Sequence, residues 1–170
     1  MTTEIRCVKA LTDEEKRQLF GWGENIFGVT PLKLSWRPKD LHFLLYSDGE
    51  LVSHVGVLRH VVSLNGKPTT IGGVGGVVTL PQAQKKGFAT RLMQRTAKFF
   101  ECEWKVDAGL LFCFPDLMAY YRALGWQAVE RTVLIEQPGG KIASPLRVMV
   151  LPLSEGCWTS GNIELLSLPW

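Results

Sequence analysis

The sequence is short of the residues from which metal sites and disulfide frameworks are built. It has four cysteines and three histidines among 170 residues, and it contains neither a CxxC pair nor an HExxH arrangement. The cysteines are far apart in the chain, at Cys7, Cys102, Cys113 and Cys157. Because this spacing fits neither a zinc site nor a dense set of disulfides, we expect reduced thiols and no bound metal.

Long apolar runs and blocks of like charge are also missing. No stretch approaches the roughly 18 consecutive apolar residues that a membrane span requires, and the opening MTTEIRCVKA has no apolar run like that of a signal peptide. The net charge is only +3, with lysine and arginine scattered along the chain, which is not the pattern of a nucleic-acid-binding surface. These absences predict a cytoplasmic protein that binds neither nucleic acid nor membrane.

The chain does have enough apolar content for one sizeable core. Hydrophobic residues make up 46% of the sequence and charged residues 21%, which is typical of one domain over residues 1–170. The capping-box spacing of Thr12 and Glu15 predicts a helix that runs to about Phe27. Strand-like runs bounded by turn residues lie at 4–11, 42–46, 51–63, 69–80, 109–114, 127–136 and 146–153. The second to fourth of these runs predict an antiparallel meander.

The loop between a predicted strand and the helix that follows it contains the most specific motif in the sequence. It consists of Pro81, Gln82, Ala83, Gln84, Lys85, Lys86, Gly87, Phe88 and Ala89. A turn that enters a helix directs unpaired amides and the positive end of the helix dipole outward, and Gly87 has no side chain to keep a pyrophosphate away from them. Lys85 and Lys86 add positive charge. A lone glycine would leave an ordinary strand-to-helix loop as the better interpretation, but the surrounding residues match a known motif at every defined position.

That motif is P-x-x-[QR]-x-x-G-x-[GA], and the segment resembles it as found in the GNAT N-acetyltransferase superfamily. The resemblance implies an α/β (α+β) fold in which a mixed, mostly antiparallel twisted sheet is flanked by helices and its splayed central strands bind acyl-CoA. Ile71 to Val78, rich in glycine, would be the central strand, whose backbone pairs with pantetheine and faces the developing oxyanion. The resemblance assigns acetyl-CoA binding to Val77, Val78, Thr79, Gln84, Lys85, Lys86, Gly87, Phe88, Ala89 and Thr90.

A second segment, from Tyr121 to Trp126, reads YRALGW and resembles the GNAT motif Y-x-x-x-G-[FW]. In the superfamily this tyrosine often lies near the coenzyme sulfur and can protonate the departing thiolate, so the resemblance assigns Tyr121 the role of general acid. The alternative is a tyrosine that packs on the core of a short helix, and Tyr120 is a weaker candidate. Cys113 is a rival nucleophile, but no histidine is placed by sequence to activate it.

Smaller matches are shared with two groups of the superfamily that modify amino sugars, the aminoglycoside 2′-N-acetyltransferases and the nodulation-factor acyltransferases. They include Ser53-His54, Gly125-Trp126 and the tail from Trp158 to Gly161. Four residues are candidates for substrate binding: Trp36, His54, Trp158 and Glu164. A satisfied strand histidine is an alternative for His54, and a hydrophobic lid or core residue is an alternative for Trp158.

Departures from the aminoglycoside enzymes argue against a polycationic antibiotic as substrate. Gly75 stands where those enzymes carry a glutamate on the central strand, and Cys157 stands where both groups have an acidic residue before the tail tryptophan. Few carboxylates lie near the motifs to receive a polycation, the candidates being Asp107, Asp116, Glu155 and Glu164. We therefore do not expect a resistance enzyme.

The resemblance implies an enzyme that transfers an acetyl group from acetyl-CoA to a primary amine of a small molecule by direct attack, an amino sugar being one candidate. A longer acyl donor is an alternative, as the nodulation relatives imply. A domain that binds acyl-CoA as a regulatory ligand without turnover is another, motivated by the glycine at position 75. No metal is expected, and a homodimer is left open. With no carboxylate on the central strand, we expect ordered water or an already neutral amine to account for the proton.

Overall fold

The computed structural model describes residues 1–154 and 161–170, and in these a mixed, mostly antiparallel sheet of ten strands is flanked by helices, as predicted. The strands are β1 Thr3–Val8, β2 Leu41–Ser47, β3 Glu50–Leu64, β4 Lys67–Thr79, β5 Ala108–Cys113, β6 Gln127–Ala128, β7 Val133–Gln137, β8 Gly140–Ala143, β9 Arg147–Pro152 and β10 Ile163–Glu164. The α-helices are α1 Asp13–Phe20, α2 Phe88–Phe99 and α3 Met118–Ala123. A single π-helical turn at Phe100–Trp104 prolongs α2.

The long strand β3 organises the sheet. It pairs antiparallel with β2 and β4, which confirms the predicted meander, and its far end pairs with β10. From β3 the order runs one way through β4, β5, β9 and β6, and the other way through β10, β7 and β8, while β1 pairs with β2. The one parallel contact on the β4 side joins β4 to β5.

The neighbouring strands β4 and β5 separate part of the way along their length. They pair only from Ile71 opposite Ala108 to Val74 opposite Leu111, although both strands continue. A bulge in β4 lies just past this point, because Gly56 of β3 faces Gly75 whereas His54 faces Val78. The inserted residue is Gly76, whose φ of +60° favours glycine. Such a bulge bends its strand, and here it accompanies the opening of a gap between β4 and β5.

Apolar side chains cover both faces of this sheet. On one face, α2 buries Leu92 and Met93 against the strands, and the Phe100 ring lies over Gly72, where a Cβ would come within 2.6 Å of it. On the other face, Leu19 of α1 packs in a smaller cluster, and the Trp170 ring lies against Gly73. The glycines of β4 therefore make room for large aromatic rings on either side.

Three element boundaries predicted from sequence are wrong. The first helix has the predicted capping box of Thr12 and Glu15 but ends at Phe20 rather than near Phe27. Gly21 follows, and the Trp22 indole donates to the Leu19 carbonyl at 2.8 Å, which satisfies a group that a longer helix would have used. The first strand ends at Val8, three residues short of the predicted end. The run 127–136 divides into β6 and β7, which pair with different partners.

Candidate active site

A cavity of about 270 Å³ opens where β4 and β5 diverge. The two strands contribute its walls, α3 contributes Tyr121, and the segment before β2 contributes Trp36 and Lys39. Most of the other lining side chains are apolar: Phe27, Val29, Val74, Val77, Leu111, Phe112, Phe114, Leu117, Leu146 and Trp170. The fold thus brings three predicted site residues, Trp36, Val77 and Tyr121, to one apolar cleft.

The free edge of β4 provides backbone groups at this cleft. The Leu80 amide donates to the Val52 carbonyl on β3 at 2.9 Å, so the peptide groups at position 80 face β3. Because alternate residues of a strand direct their peptide groups to opposite edges, those of Val77 and Thr79 face the side from which β5 has departed. The Thr79 carbonyl accepts a hydrogen bond of 3.1 Å from the Gln84 side chain. On this edge, the Thr79 amide and the amide and carbonyl of Val77 are therefore directed to where an extended ligand would pair with them.

The loop from β4 to α2 has the geometry of an anion site. Lys85 has a φ of +63° and Gly87 a φ of +81°, and Gly87 forms the N-cap of α2 without any side-chain hydrogen bond. The first amides of this helix, at Phe88, Ala89 and Thr90, lack carbonyl partners within the helix. A Cβ placed on Gly87 would meet no atom within 4 Å, so open space lies in front of these donors. The exposed side chains of Lys85 and Lys86 flank it.

The tyrosine motif positions Tyr121 by means of its glycine and tryptophan. The amides of Leu124 and Trp126 both donate to the Tyr121 carbonyl, at 3.0 and 3.1 Å, and Gly125 turns the chain with a φ of +96°. The Trp126 ring then packs over Gly109 of β5, where a Cβ would lie 2.7 Å from it. The motif therefore locks the end of α3 onto the sheet and aims Tyr121 into the cleft.

Tyr121 is 6% exposed, and its side chain lines the cleft. Burial, and then the neighbouring Cys113 and Tyr120, raise the pKa of Tyr121 above its ordinary value. The phenol therefore keeps its proton until a stronger base forms beside it. The Tyr120 hydroxyl has a different contact. It lies 3.1 Å from the Thr90 hydroxyl and links α3 to the start of α2.

Cys113 lines the same cleft but is poorly suited to attack a thioester. Burial and the nearby Asp116 raise the pKa of this thiol to about 11, which leaves very little of the nucleophilic thiolate near neutral pH. None of the three histidines lines the cleft with it. The arrangement gives Cys113 the features of a packed structural cysteine.

The predicted candidate His54 lies behind the bulge of β4 rather than in the cleft. It is buried, its Nδ1 is 2.6 Å from the Gly76 carbonyl oxygen, and its Nε2 is 2.9 Å from Nδ1 of His42. Burial lowers its pKa to about 4, with the Gly76 hydrogen bond opposing the shift. Both ring nitrogens are thus engaged, and the imidazole is neutral near pH 7.

Lys39 lines the cleft and was missed by sequence reasoning. Its side chain crosses two glycines that face each other in register: a Cβ on Gly56 would lie 2.6 Å from Lys39 Cγ, and one on Gly75 would lie 2.6 Å from Cε. Burial, and then the positive charge of Arg37, lower the pKa of Lys39 to about 8. The two glycines are the sequence feature that makes room for this lysine. That they lie opposite each other is known only from the pairing of β3 with β4.

Other predicted site residues lie elsewhere. Glu164 on β10 forms an ion pair of 3.1 Å with Lys141 and faces Ser63 near the far end of β3. Seven positions of β3 separate Ser63 from Gly56, which is about 23 Å at the usual rise per residue, so the structure does not bring Glu164 to the cleft. The Val78 side chain packs beside Leu19 on the α1 face. Trp158 lies outside the described residues.

Two searches of the described residues bear on metals and membranes. Within 1–154 and 161–170 no three histidine, cysteine, aspartate or glutamate side chains are grouped so that they could hold a metal ion. No helix in the same part of the chain is long and apolar enough to cross a membrane.

Comparison with known proteins agrees with this fold. A model of the acetyltransferase (GNAT) domain matches residues 8–129. An acyl-CoA N-acyltransferase from Pseudomonas aeruginosa is 21% identical with a TM-score of 0.59, over 88% of this chain and 99% of that one. A GNAT-family N-acetyltransferase from Escherichia coli, solved with CoA, is 15% identical with a TM-score of 0.61, over 96% and 89%. A GNAT-family acetyltransferase from Brucella melitensis, solved with acetyl-CoA, is 14% identical with a TM-score of 0.57, over 94% of each chain.

Proposed function

We propose, from the premise that this chain belongs to the GNAT acetyltransferase family, that it transfers an acetyl group from acetyl-CoA to a primary amine of a small molecule by direct attack. The observation that carries the proposal is the cleft that the free edge of β4 shares with Tyr121, together with the open N-terminus of α2, which follows β4 directly in the chain. The relatives solved with CoA or acetyl-CoA support this choice of ligand.

The residues present fit the coenzyme. The amides that follow Gly87, with Lys85 and Lys86 beside them, form a cationic donor set for a pyrophosphate. The Thr79 amide and the amide and carbonyl of Val77 face the gap, where an extended pantetheine chain would pair with them as one strand pairs with another. When bound, acetyl-CoA supplies the thioester. The gap between β4 and β5 admits that end of the molecule to the cleft.

The reaction requires the protein to transfer a proton to the sulfur and to stabilise negative charge on the carbonyl oxygen. The amine nitrogen attacks the thioester carbonyl, the carbon–sulfur bond breaks, and the Tyr121 hydroxyl donates its proton to the sulfur. The Val77 amide on the free edge is positioned to donate to the carbonyl oxygen as negative charge develops on it. The amine loses a proton to water, and the Tyr121 phenolate regains one from water, so the phenol is restored. No covalent acyl-enzyme is needed, in keeping with the raised pKa of Cys113.

Thiol release from acetyl-CoA and from octanoyl-CoA, measured over a panel of amines, tests this function. The panel includes amino sugars, polyamines, amino acids and arylalkylamines, and mass spectrometry identifies the acylated product. Acceptor-dependent release with formation of an amide supports the proposal, and the two donors establish the acyl length. Coenzyme binding without any acceptor-dependent release would instead favour a regulatory acyl-CoA-binding domain.

A further inference from the structure

The cleft presents few polar side chains to an acceptor. Among the described lining residues, Lys39 is the one charged side chain, and Tyr121 and Cys113 add a hydroxyl and a thiol. The Trp170 indole also lines the cleft, but it donates to the Leu110 carbonyl at 3.3 Å. In the reaction proposed above, the Tyr121 hydroxyl serves the sulfur of the coenzyme. The rest of the acceptor therefore meets mostly hydrocarbon.

The Lys39 ammonium lies beside the main chain of the protein itself. A Cβ placed on Gly75 would lie 3.1 Å from Lys39 Nζ and 2.9 Å from the main-chain carbonyl carbon of Trp170. The Arg37 amide donates to the Pro169 carbonyl at 2.8 Å, which holds this part of the chain next to the segment that carries Lys39. The ammonium therefore has main-chain oxygen beside it, and the acceptor need not provide a charge to pair with it.

Apolar side chains form the rim of the cleft and are open to solvent there. Phe27, in the segment between α1 and β2, is 39% exposed, and Leu117, in the turn before α3, is 44% exposed. Val29 and Trp36 continue this wall and are half-buried. Asp116, next to Leu117, is exposed and does not line the cleft. Exposed apolar surface around a cavity is typical of a site that an apolar ligand covers.

The cavity is large enough for such a ligand. A cavity of roughly 150 Å³ accommodates a benzene ring, and the cleft has a volume of about 270 Å³. An aryl or short alkyl group therefore fits beside the acetyl group that is to be transferred. The hydroxyls of an amino sugar, or the second ammonium of a polyamine, would leave water without gaining a partner on this wall, which opposes their binding.

Building on the acetyltransferase function proposed above, we infer that the acceptor is a monoamine whose amino group is borne by a hydrocarbon group, as in an arylalkylamine or an alkylamine. The hydrocarbon group packs on Phe27, Val29 and Leu117, and the amine nitrogen lies beside Tyr121 and the free edge of β4. A long acyl chain of the donor is the competing occupant of this wall. The exposed rim favours the acceptor, because an acceptor enters from solvent whereas an acyl chain arrives along β4 with the coenzyme.

Acceptors of equal length that differ in one end group test this inference. Hexylamine, 5-aminopentan-1-ol and 1,5-diaminopentane are compared by kcat/KM with acetyl-CoA as donor, each at a pH adjusted to give the same concentration of free amine. We expect hexylamine to exceed the other two by roughly 10- to 100-fold, because burying their polar end group without a partner is unfavourable. From propylamine to hexylamine, each added methylene should raise kcat/KM roughly three- to fourfold.

A pair of matched variants tests the role of the rim. Leu117→Asn makes the rim polar at an exposed position, and it should lower the advantage of hexylamine over aminopentanol by roughly threefold or more. Leu166→Asn is the control, since Leu166 is 46% exposed, does not line the cleft and has a φ of +62°, which asparagine tolerates. It should retain the wild-type advantage. Melting temperature and affinity for acetyl-CoA are measured for both variants.

The outcomes separate the two proposals. Absence of acceptor-dependent transfer to any amine overturns the acetyltransferase function itself. Transfer to amines in which hexylamine is no better than aminopentanol or diaminopentane overturns only the inference of an apolar acceptor, and this arm needs no variant. A preference for octanoyl-CoA over acetyl-CoA that falls in Leu117→Asn, while the preference for hexylamine does not, would assign the wall to the acyl chain and also overturn it.

Discussion

The Nδ1 atom of His54 lies 2.6 Å from the carbonyl oxygen of Gly76, the residue that bulges out of β4. Because a carbonyl can only accept, the proton of the neutral ring is on Nδ1, and Nε2 accepts from Nδ1–H of His42 at 2.9 Å. The Phe20 ring packs edge-on against the imidazole at 5.3 Å between centroids. The histidine therefore fixes the bulge that separates β4 from β5.

This contact makes the stability of the protein depend on pH. The pKa of His54 is lowered from 6.5 to about 4. Between these two pH values the imidazole is protonated in the unfolded chain but not in the folded one. Stability is full above pH 6.5 and is lost as the pH falls toward 4. We expect the free energy of unfolding to drop by about 2 kcal/mol between pH 7 and pH 5 from this group. Urea titrations at the two pH values measure it.

The variant His54→Gln should be less stable at pH 7 but lose less stability on acidification, because glutamine does not titrate. His60→Gln is the control, since His60 is only half-buried and lies on the other half of β3. An equal loss between pH 7 and pH 5 in His54→Gln and the wild-type protein would contradict the assignment of a neutral His54.

Gly87→Val should abolish coenzyme binding in a folded protein. The new side chain would occupy the space in front of the α2 amides, where a phosphate is expected. Valine at positive φ is also strained, so the matched control is Gly49→Val, with a φ of +85° and no atom within 4 Å of its Cβ. Calorimetric titration with acetyl-CoA compares the two variants. Equal affinity in both would remove the phosphate-loop assignment.

Tyr121→Phe should lower turnover on the order of 10²-fold with little change in coenzyme affinity, because only the proton donor is removed. The adjacent Tyr120→Phe is the matched control, since it removes a hydroxyl that bonds Thr90 instead of one that lines the cleft. Single-turnover measurements isolate the chemical step. Unaltered rates in Tyr121→Phe would mean that the sulfur takes its proton from another group.

Those parts of the site that depend on local chain geometry could be predicted from the sequence. The capping box at Thr12, the loop before α2 and the turn after Tyr121 are each decided by a few neighbouring residues. The strands of the meander were found because Asn65-Gly66 marks a hairpin turn. For the same reason the resemblance to the GNAT superfamily, which rests on these local motifs, is confirmed.

What depends on register between distant segments could not be predicted. Lys39 reaches the cleft only because Gly56 and Gly75 come opposite each other, and no local pattern reports that pairing. His54 was named as a candidate, yet its engagement by Gly76 and His42 follows from the bulge. Glu164 lies near the far end of β3, away from the cleft, because it pairs with Ser63. The helix α1 ends earlier than predicted because Gly21 follows Phe20, and glycine has a weak helix propensity.

Among the described side chains that line the cleft there is no carboxylate, since position 75 is a glycine, and His54 has both nitrogens engaged. We therefore expect kcat/KM for simple amines to rise with pH and to follow the pKa of each amine. The profile is measured for several amines without a carboxylate. A common rise near pH 8, independent of the amine, would instead identify Lys39 as a base.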